Sequence, residues 1–280
     1  MVAKVISFVA SKGGVGKTTL ATNIALALTS NGQQPKGRKI PLSKSKRVLV
    51  VDMDYQRSAG DSLGVPGAPA GTTYIRALFD EDVDFDLAIR SAPFDIPCGT
   101  LDVAPVNTKD YNLAVQAIPQ YPNHGLLAVT EMLAAYEDDY DYIILDLRPE
   151  LSTLTSSAMA ASNGGVIIPV NSEMPTAINL KDVLDHFRKL APQVGRPIEF
   201  LGVVRTKWDA KAEEATDVND TLREFGIPVF ETIIPNHRQI SKSFSLSTGP
   251  VVTSYPKAPS VRLFYQLAAE IAHAIAKKEA

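Results

Sequence analysis

Cysteine is nearly absent: Cys98 is the single one in 280 residues. One thiol closes no internal disulfide and builds no Cys/His cluster for zinc or iron–sulfur chemistry, which excludes disulfide-stapled and cluster-carrying classes. A reducing cytoplasm is the expected compartment. Long apolar runs are missing as well, none approaching the roughly 20 residues that cross a bilayer, so no stable membrane insertion is expected. The opening Met1-Val2-Ala3-Lys4 passes directly into an apolar strand and leaves no room for a removable signal peptide. Nor is there an excess of positive charge. With 28 Lys+Arg against 31 Asp+Glu the net charge is −3, so contact with nucleic acid has to be argued from local distribution. Neither an internal repeat nor a dividing linker is present. With 45% hydrophobic residues, one domain over 1–280 with a large core is expected.

What the chain does have is Lys12-Gly13-Gly14-Val15-Gly16-Lys17-Thr18-Thr19, between an apolar β-like run (Val5–Val9) and a helical pattern of Leu20, Ile24 and Leu28. Strand, glycine-rich turn and helix form the context in which such a loop binds phosphate. The glycines let successive backbone N–H groups approach phosphate oxygens, and the helix contributes its positive end. Lys17 adds a point charge and Thr18 offers a hydroxyl to Mg²⁺. The strict GxxxxGK[ST] pattern is not met, because Ser11 stands where its first glycine belongs. A second lysine, Lys12, lies five residues before Lys17.

Further strands follow at β–α–β spacing. Val48–Asp54 is a continuous apolar run closed by Asp52 and Asp54, and Tyr140–Asp146 is a second run closed by Asp146. Continuous hydrophobicity suits parallel strands buried on both faces, and their C-terminal ends are where open α/β sheets bind ligands. In nucleotide hydrolysis Lys17 faces the β/γ-phosphates, and Asp146 has the form of a Walker B acid with Asp52 nearby. Asp54, two residues on, can reach water on the γ side. Strands are also read at Leu101–Val106, Gly165–Val170, Phe200–Thr206 and Val229–Ile234. Helices are read at Thr73–Phe79, Asp84–Ser91, Asn107–Ile118, His124–Glu137, 151–162, 175–190, 212–225 and Pro259–Lys278. The alternation predicts a single-domain α/β fold, a mostly parallel twisted sheet with helices on both faces.

Together these features resemble the ParA/MinD family of deviant Walker A ATPases, and most closely its ParA-type partition members. KGGVGKTT, VVDMDYQ, YDYIILD, IIPV and ETIIPN carry the likeness over nearly the full length. The resemblance implies ATP and Mg²⁺ as cofactors and a slow, partner-stimulated ATP hydrolase. It implies a homodimer formed on ATP, in which Lys12 reaches the partner's phosphates, Asp54 is the hydrolytic residue and Pro235 lines the adenine pocket, helped by His237. Non-specific DNA, a ParB-like or other cargo adaptor and a nucleoid-associated location follow from the same likeness. The chain departs from the family at two places. Asp54-Tyr55-Gln56-Arg57 replaces Asp-Pro-Gln-Gly, and Leu147-Arg148-Pro149 replaces a small residue and two prolines. Arg148 is either an extra phosphate ligand or a partner of Glu150.

Two basic regions bear on DNA. Between Thr232 and Ala269 there is no acid, while Arg238 and Lys242 are present, and Lys207 and Lys211 extend the patch. The segment 31–47 carries Lys36, Arg38, Lys39, Lys44, Lys46 and Arg47, again without an acid. It reads as a basic surface loop inserted before the second strand. No helix-turn-helix precedes the phosphate loop, so operator-specific binding is not expected. The competing expectation is a MinD-like ATPase cycling on membranes, which asks for a basic amphipathic terminal helix. Pro259–Lys278 reads instead as a packing helix.

Overall fold

The computed structural model describes residues 2–35, 41–69, 88–96, 98–120, 125–243 and 249–279. Seven strands form one sheet: β1 (Lys4–Phe8), β2 (Arg47–Met53), β3 (Arg90–Ser91), β4 (Thr100–Ala104), β5 (Tyr142–Leu147), β6 (Gly165–Val170) and β7 (Phe200–Arg205). Their order is β3-β4-β2-β5-β1-β6-β7, parallel throughout except for the short edge strand β3. The expected α/β architecture is therefore the one observed. Side chains alternate between two cores. Ile6, Phe8, Val48, Val50 and Ile144 point to one face, and Val5, Val9, Leu49, Val51 and Ile143 to the other. That two-sided burial is why these strands read as largely apolar runs.

The first face is covered by α1 (Lys17–Leu28) and by the terminal helix α10 (Pro259–Glu279), which lie along each other. Phe264, Leu267 and Ile271 of α10 are 0% exposed. Each such side chain contributes about 1.5–3 kcal/mol by leaving water. The packing expected of this helix is borne out, and its apolar stripe lies inside the fold. Among the described residues no helix is long and apolar enough to cross a membrane. On the opposite face run α3 (Thr108–Ala117), α4 (Ala128–Ala134), α5 (Thr153–Ala161), α6 (Met174–Val194) and α7 (Ala215–Glu224). Three short helices, α2 (Ser58–Ser62), α8 (Arg238–Ser243) and α9 (Val251–Ser254), complete the α-helices among the described residues.

Several expectations are corrected. Val229–Ile234 is not a strand. It follows β7 through Phe230 N–H to Val203 O (2.9 Å) and Ile234 N–H to Arg205 O (2.9 Å), with one isolated bridge at Val229. Pro228 and Pro235 at its ends lack the N–H groups that would extend the ladder. The helix expected over 84–91 ends instead in β3, and its remainder, like Thr73–Phe79, falls largely or wholly outside the described residues. The helix expected over 124–137 begins only at Ala128. Gly125 precedes it at φ 72°, where a Cβ would meet the Ile118 carbonyl oxygen at 2.4 Å, so the chain turns there before helix can start. In the basic segment, Leu42–Lys44 forms a single 3₁₀ turn and Arg47 opens β2.

Candidate functional site

Strand β1, between β5 and β6, ends at Phe8, and the chain then loops into the N-terminus of α1. Gly14 and Gly16 adopt φ of 77° and 95°, a region that side chains rarely enter, and Gly16 delivers the chain into the helix at Lys17. The Thr206 hydroxyl donates to the Val15 carbonyl (2.6 Å) and ties the loop to the end of β7. A cavity of about 320 Å³ opens over this loop. It is lined by Gly13, Gly14, Gly16, Lys17, Thr18 and Thr19, and across from them by Asp54, Leu147 and Pro149. Thr206, Lys207, Pro235, Asn236, His237 and Ile240 line it as well. Pro235 and His237, more than 200 residues from the loop in sequence, thus share one cavity with it.

Strand register brings the acids together. Asp52 of β2 is the register partner of Asp146 of β5, and Phe8 of β1 faces Asp146 from the other side. The two carboxylates have different surroundings. Asp52 is fully buried and accepts the N–H groups of Asp54 (3.1 Å) and Gly60 (2.8 Å), so it anchors the loop after β2. Burial, with the charge of Asp146 next, holds its pKa well above the usual carboxylate range. Asp146 is equally buried, but its carboxylate oxygens accept no hydrogen bond of regular geometry, and only the Thr18 hydroxyl beside them offers a donor hydrogen. Burial raises its pKa to about 7, against the opposing effects of the Thr18 hydroxyl and the Lys17 charge. Lys17, 6% exposed, has its pKa lowered by burial, an effect that Asp146 and Asp54 oppose. A buried carboxylate with unmet oxygens beside a hydroxyl fits the oxygen-donor chemistry of a hydrated divalent cation. No group of three or more His, Cys, Asp or Glu side chains among the described residues could hold a metal alone. Phosphate oxygens would have to complete the shell.

Asp54 lines the cavity, and its carboxylate accepts the Gln56 N–H (3.0 Å). Lys12 points out of its own loop and pairs with Glu173, the residue that precedes α6, at 2.8 Å. That contact lowers the Glu173 pKa. The sequence reading missed Glu173, Asn236 and Thr206, whose places depend on how distant strand ends converge. Arg238 opens α8, with Lys242 one turn on, and both are exposed. Lys211 and Lys207 are exposed too, and Lys207 also lines the cavity. Lys46 is paired with Asp141 (2.8 Å), and Arg47 donates to the Asp138 carbonyl (2.7 Å), so these two cations of the 31–47 segment brace β2 against the turn before β5. Lys36, Arg38 and Lys39 lie outside the described residues.

A glycine-rich loop at the end of an interior parallel strand, a lysine at the first turn of the next helix and acids on neighbouring strand ends define a P-loop nucleotide-binding protein. Residues 3–199 match the AAA domain family. The sporulation initiation inhibitor protein Soj of Bacillus subtilis is 28% identical over 270 residues, covering 96% of this chain and 98% of Soj. Among solved structures, a McdA variant from Cyanothece in complex with ATP matches with a TM-score of 0.79 at 18% identity over 96% of each chain. The septum site-determining protein MinD of Pyrococcus horikoshii, complexed with Mg-ADP, matches with a TM-score of 0.70 at 21% identity, over 95% of this chain and 94% of that one. The chain belongs to the AAA domain family and, within it, to the ParA/MinD-type deviant Walker A ATPases.

Proposed function

We propose that this protein is a ParA-type positioning ATPase, which binds Mg²⁺ and ATP in the cavity, dimerises on ATP and holds DNA non-specifically until hydrolysis releases it. The observation that carries the reading is the convergence of Lys17, Thr18, Asp54 and Pro235 on one cavity, with the buried Asp146 carboxylate beside Lys17 and Thr18 and with Lys12 paired to Glu173 outside it. Lys17 and the loop N–H groups hold the phosphates. Thr18 and Asp146 hold magnesium, which neutralises phosphate charge when bound. Asp52 supports them by fixing the loop that carries Asp54, and Asp54 orients the attacking water. Pro235 and His237 flank the base. Lys12 leaves Glu173 to reach the phosphates of a second copy. Arg238, Lys242 and Lys211 contact DNA phosphates without reading bases. The activator is a ParB-like or other adaptor protein, the cargo a plasmid, a chromosome or another large body, and the location the cytoplasm at the nucleoid.

The MinD-like alternative is less well supported, because the apolar stripe of α10 is covered by α1 and the sheet. Light scattering combined with turnover tests the leading reading. Wild type should be monomeric without nucleotide and dimeric with ATP, Lys12→Ala should stay monomeric, and Asp54→Ala should bind ATP and remain dimeric. An ATP-independent dimer that survives Lys12→Ala, or full turnover in Asp54→Ala, would refute it.

A further inference from the structure

Two loops leave adjacent strands beside the cavity: 54–57 after β2, which brings Asp54 to its wall, and 148–150 after β5, which brings Pro149. Tyr55 and Arg148, which stand where the family pattern has prolines, meet each other. Leu147 and Pro149 face the cavity, while Arg148 between them turns to the other side. Its guanidinium carbon lies 4.3 Å from the centroid of the Tyr55 ring and 5.5 Å from that of Tyr111. The two rings are tilted against each other at 5.8 Å. Arg148 Nη1 donates to the Tyr111 hydroxyl (3.4 Å) and pairs with Glu150 (3.4 Å), and the Tyr111 hydroxyl donates to the same Glu150 oxygen (3.3 Å). Tyr111 belongs to α3 and is 1% exposed, so the cluster is fixed to the body of the fold. A second tie runs from α3 to the same loop, the Thr108 hydroxyl donating to the Tyr55 carbonyl (3.4 Å).

We infer that Arg148 is a positioning residue for Asp54: by gripping Tyr55 between the two loops, it fixes the backbone that presents the Asp54 carboxylate to the cavity. Asp54 then stands between two restraints, its N–H held by Asp52 and the next residue held by the Arg148 stack. The stiffness that proline supplies at both positions elsewhere in the family comes here from a cation–π contact between loops. Burial keeps the Tyr111 phenol neutral, with its pKa raised to about 12, so it remains a donor to Glu150. The inference rests on the proposed role of Asp54 in hydrolysis.

The test measures ATP turnover of the full chain together with affinity for a non-hydrolysable ATP analogue. Arg148→Met should lower turnover about tenfold, because a small misplacement of a water-orienting group is costly, while analogue affinity stays within about twofold. Tyr55→Phe keeps the ring face and should retain turnover, whereas Tyr55→Leu should fall as far as Arg148→Met. The Tyr55→Leu/Arg148→Met double variant should be no slower than either single, as for two halves of one contact. In an Asp54→Ala background, Arg148→Met should change nothing further. Loss of analogue affinity in parallel with turnover would make Arg148 a phosphate ligand and overturn the inference, and so would additive single variants. If Arg148→Met does not fold by circular dichroism, the comparison of Tyr55→Phe with Tyr55→Leu decides the matter from the other side. Full turnover in Asp54→Ala would sink the underlying reading, whereas slow Asp54→Ala with normal Arg148→Met would sink the clamp alone.

Discussion

Asp146→Asn should make the protein more stable and less useful. Both oxygens of the Asp146 carboxylate are buried and accept no hydrogen bond of regular geometry, and burial outweighs the help of Thr18 and Lys17. An unpaired buried polar group costs about 1–3 kcal/mol, and a charged one more. The attraction of Lys17 returns part of this, because Lys17 is itself buried and gains from the negative charge. Asparagine keeps the shape and removes the charge, so a net gain of about 1 kcal/mol is expected for the nucleotide-free protein. For a chain of this size that raises the melting temperature by roughly 2–4 °C. The cation site is weakened by the same change. In wild type, Mg²⁺ with ATP at about 100 times its dissociation constant should add about 2.7 kcal/mol, and this magnesium-dependent increment should disappear in Asp146→Asn. Scanning fluorimetry of both proteins with EDTA alone, ATP plus EDTA, and ATP plus Mg²⁺ separates the two effects. An Asn variant that melts no higher than wild type and responds equally to magnesium would refute the assignment of Asp146.

Two further outcomes follow from the surface cations. Glu173→Gln should leave stability nearly unchanged, because its pair with Lys12 is largely exposed and such pairs are worth about 0.5 kcal/mol. Two such pairs break per dimer, so the variant's ATP-dependent dimer should be about fivefold tighter by light scattering, and a weaker dimer would place Glu173 itself in the interface. Arg238→Glu should weaken binding to unrelated duplexes alike and make the salt slope shallower by about one phosphate contact. ATP affinity should be untouched, because Arg238 is exposed on α8 while Ile240 of the same helix faces the cavity. Unchanged anisotropy titrations over a salt series would remove Arg238 from the DNA surface.

The sheet was legible wherever burial is two-sided. β1, β2, β5, β6 and β7 each read as a strand from a largely apolar run, and each is found within two residues of its expected bounds. Legibility failed where pairing rather than burial decides. The two residues of β3 are both exposed and paired antiparallel to β4, so no hydrophobic pattern marks them. The segment 229–234 has the composition of a strand, but its prolines and its place alongside the edge strand β7 leave only scattered bonds. The helix expected from 124 starts late because the left-handed turn at Gly125 depends on contact with Ile118, which local periodicity cannot register.

The site was legible in a different way. Phosphate chemistry depends on a contiguous loop, so Lys12 to Thr19 could be read without any tertiary information, and each strand-end acid carried its own apolar run as a marker. The contacts that decide how those acids behave lie between segments. Asp52 and Asp146 are register partners, yet one is held by two backbone N–H groups and the other by none, a difference set by the path of the loop after Met53. Tyr55 and Arg148 are separated by 93 positions, and each looked like an isolated departure from the family pattern. Sequence alone left Arg148 open between phosphate ligand and partner of Glu150. The geometry adds a third contact, because the same guanidinium that meets Glu150 also lies over Tyr55. A residue that breaks one local rule is uninformative by itself. Two that break the same rule on adjacent loops and then touch are a compensated pair, and the contact between them is where a hydrolysis phenotype should be sought first.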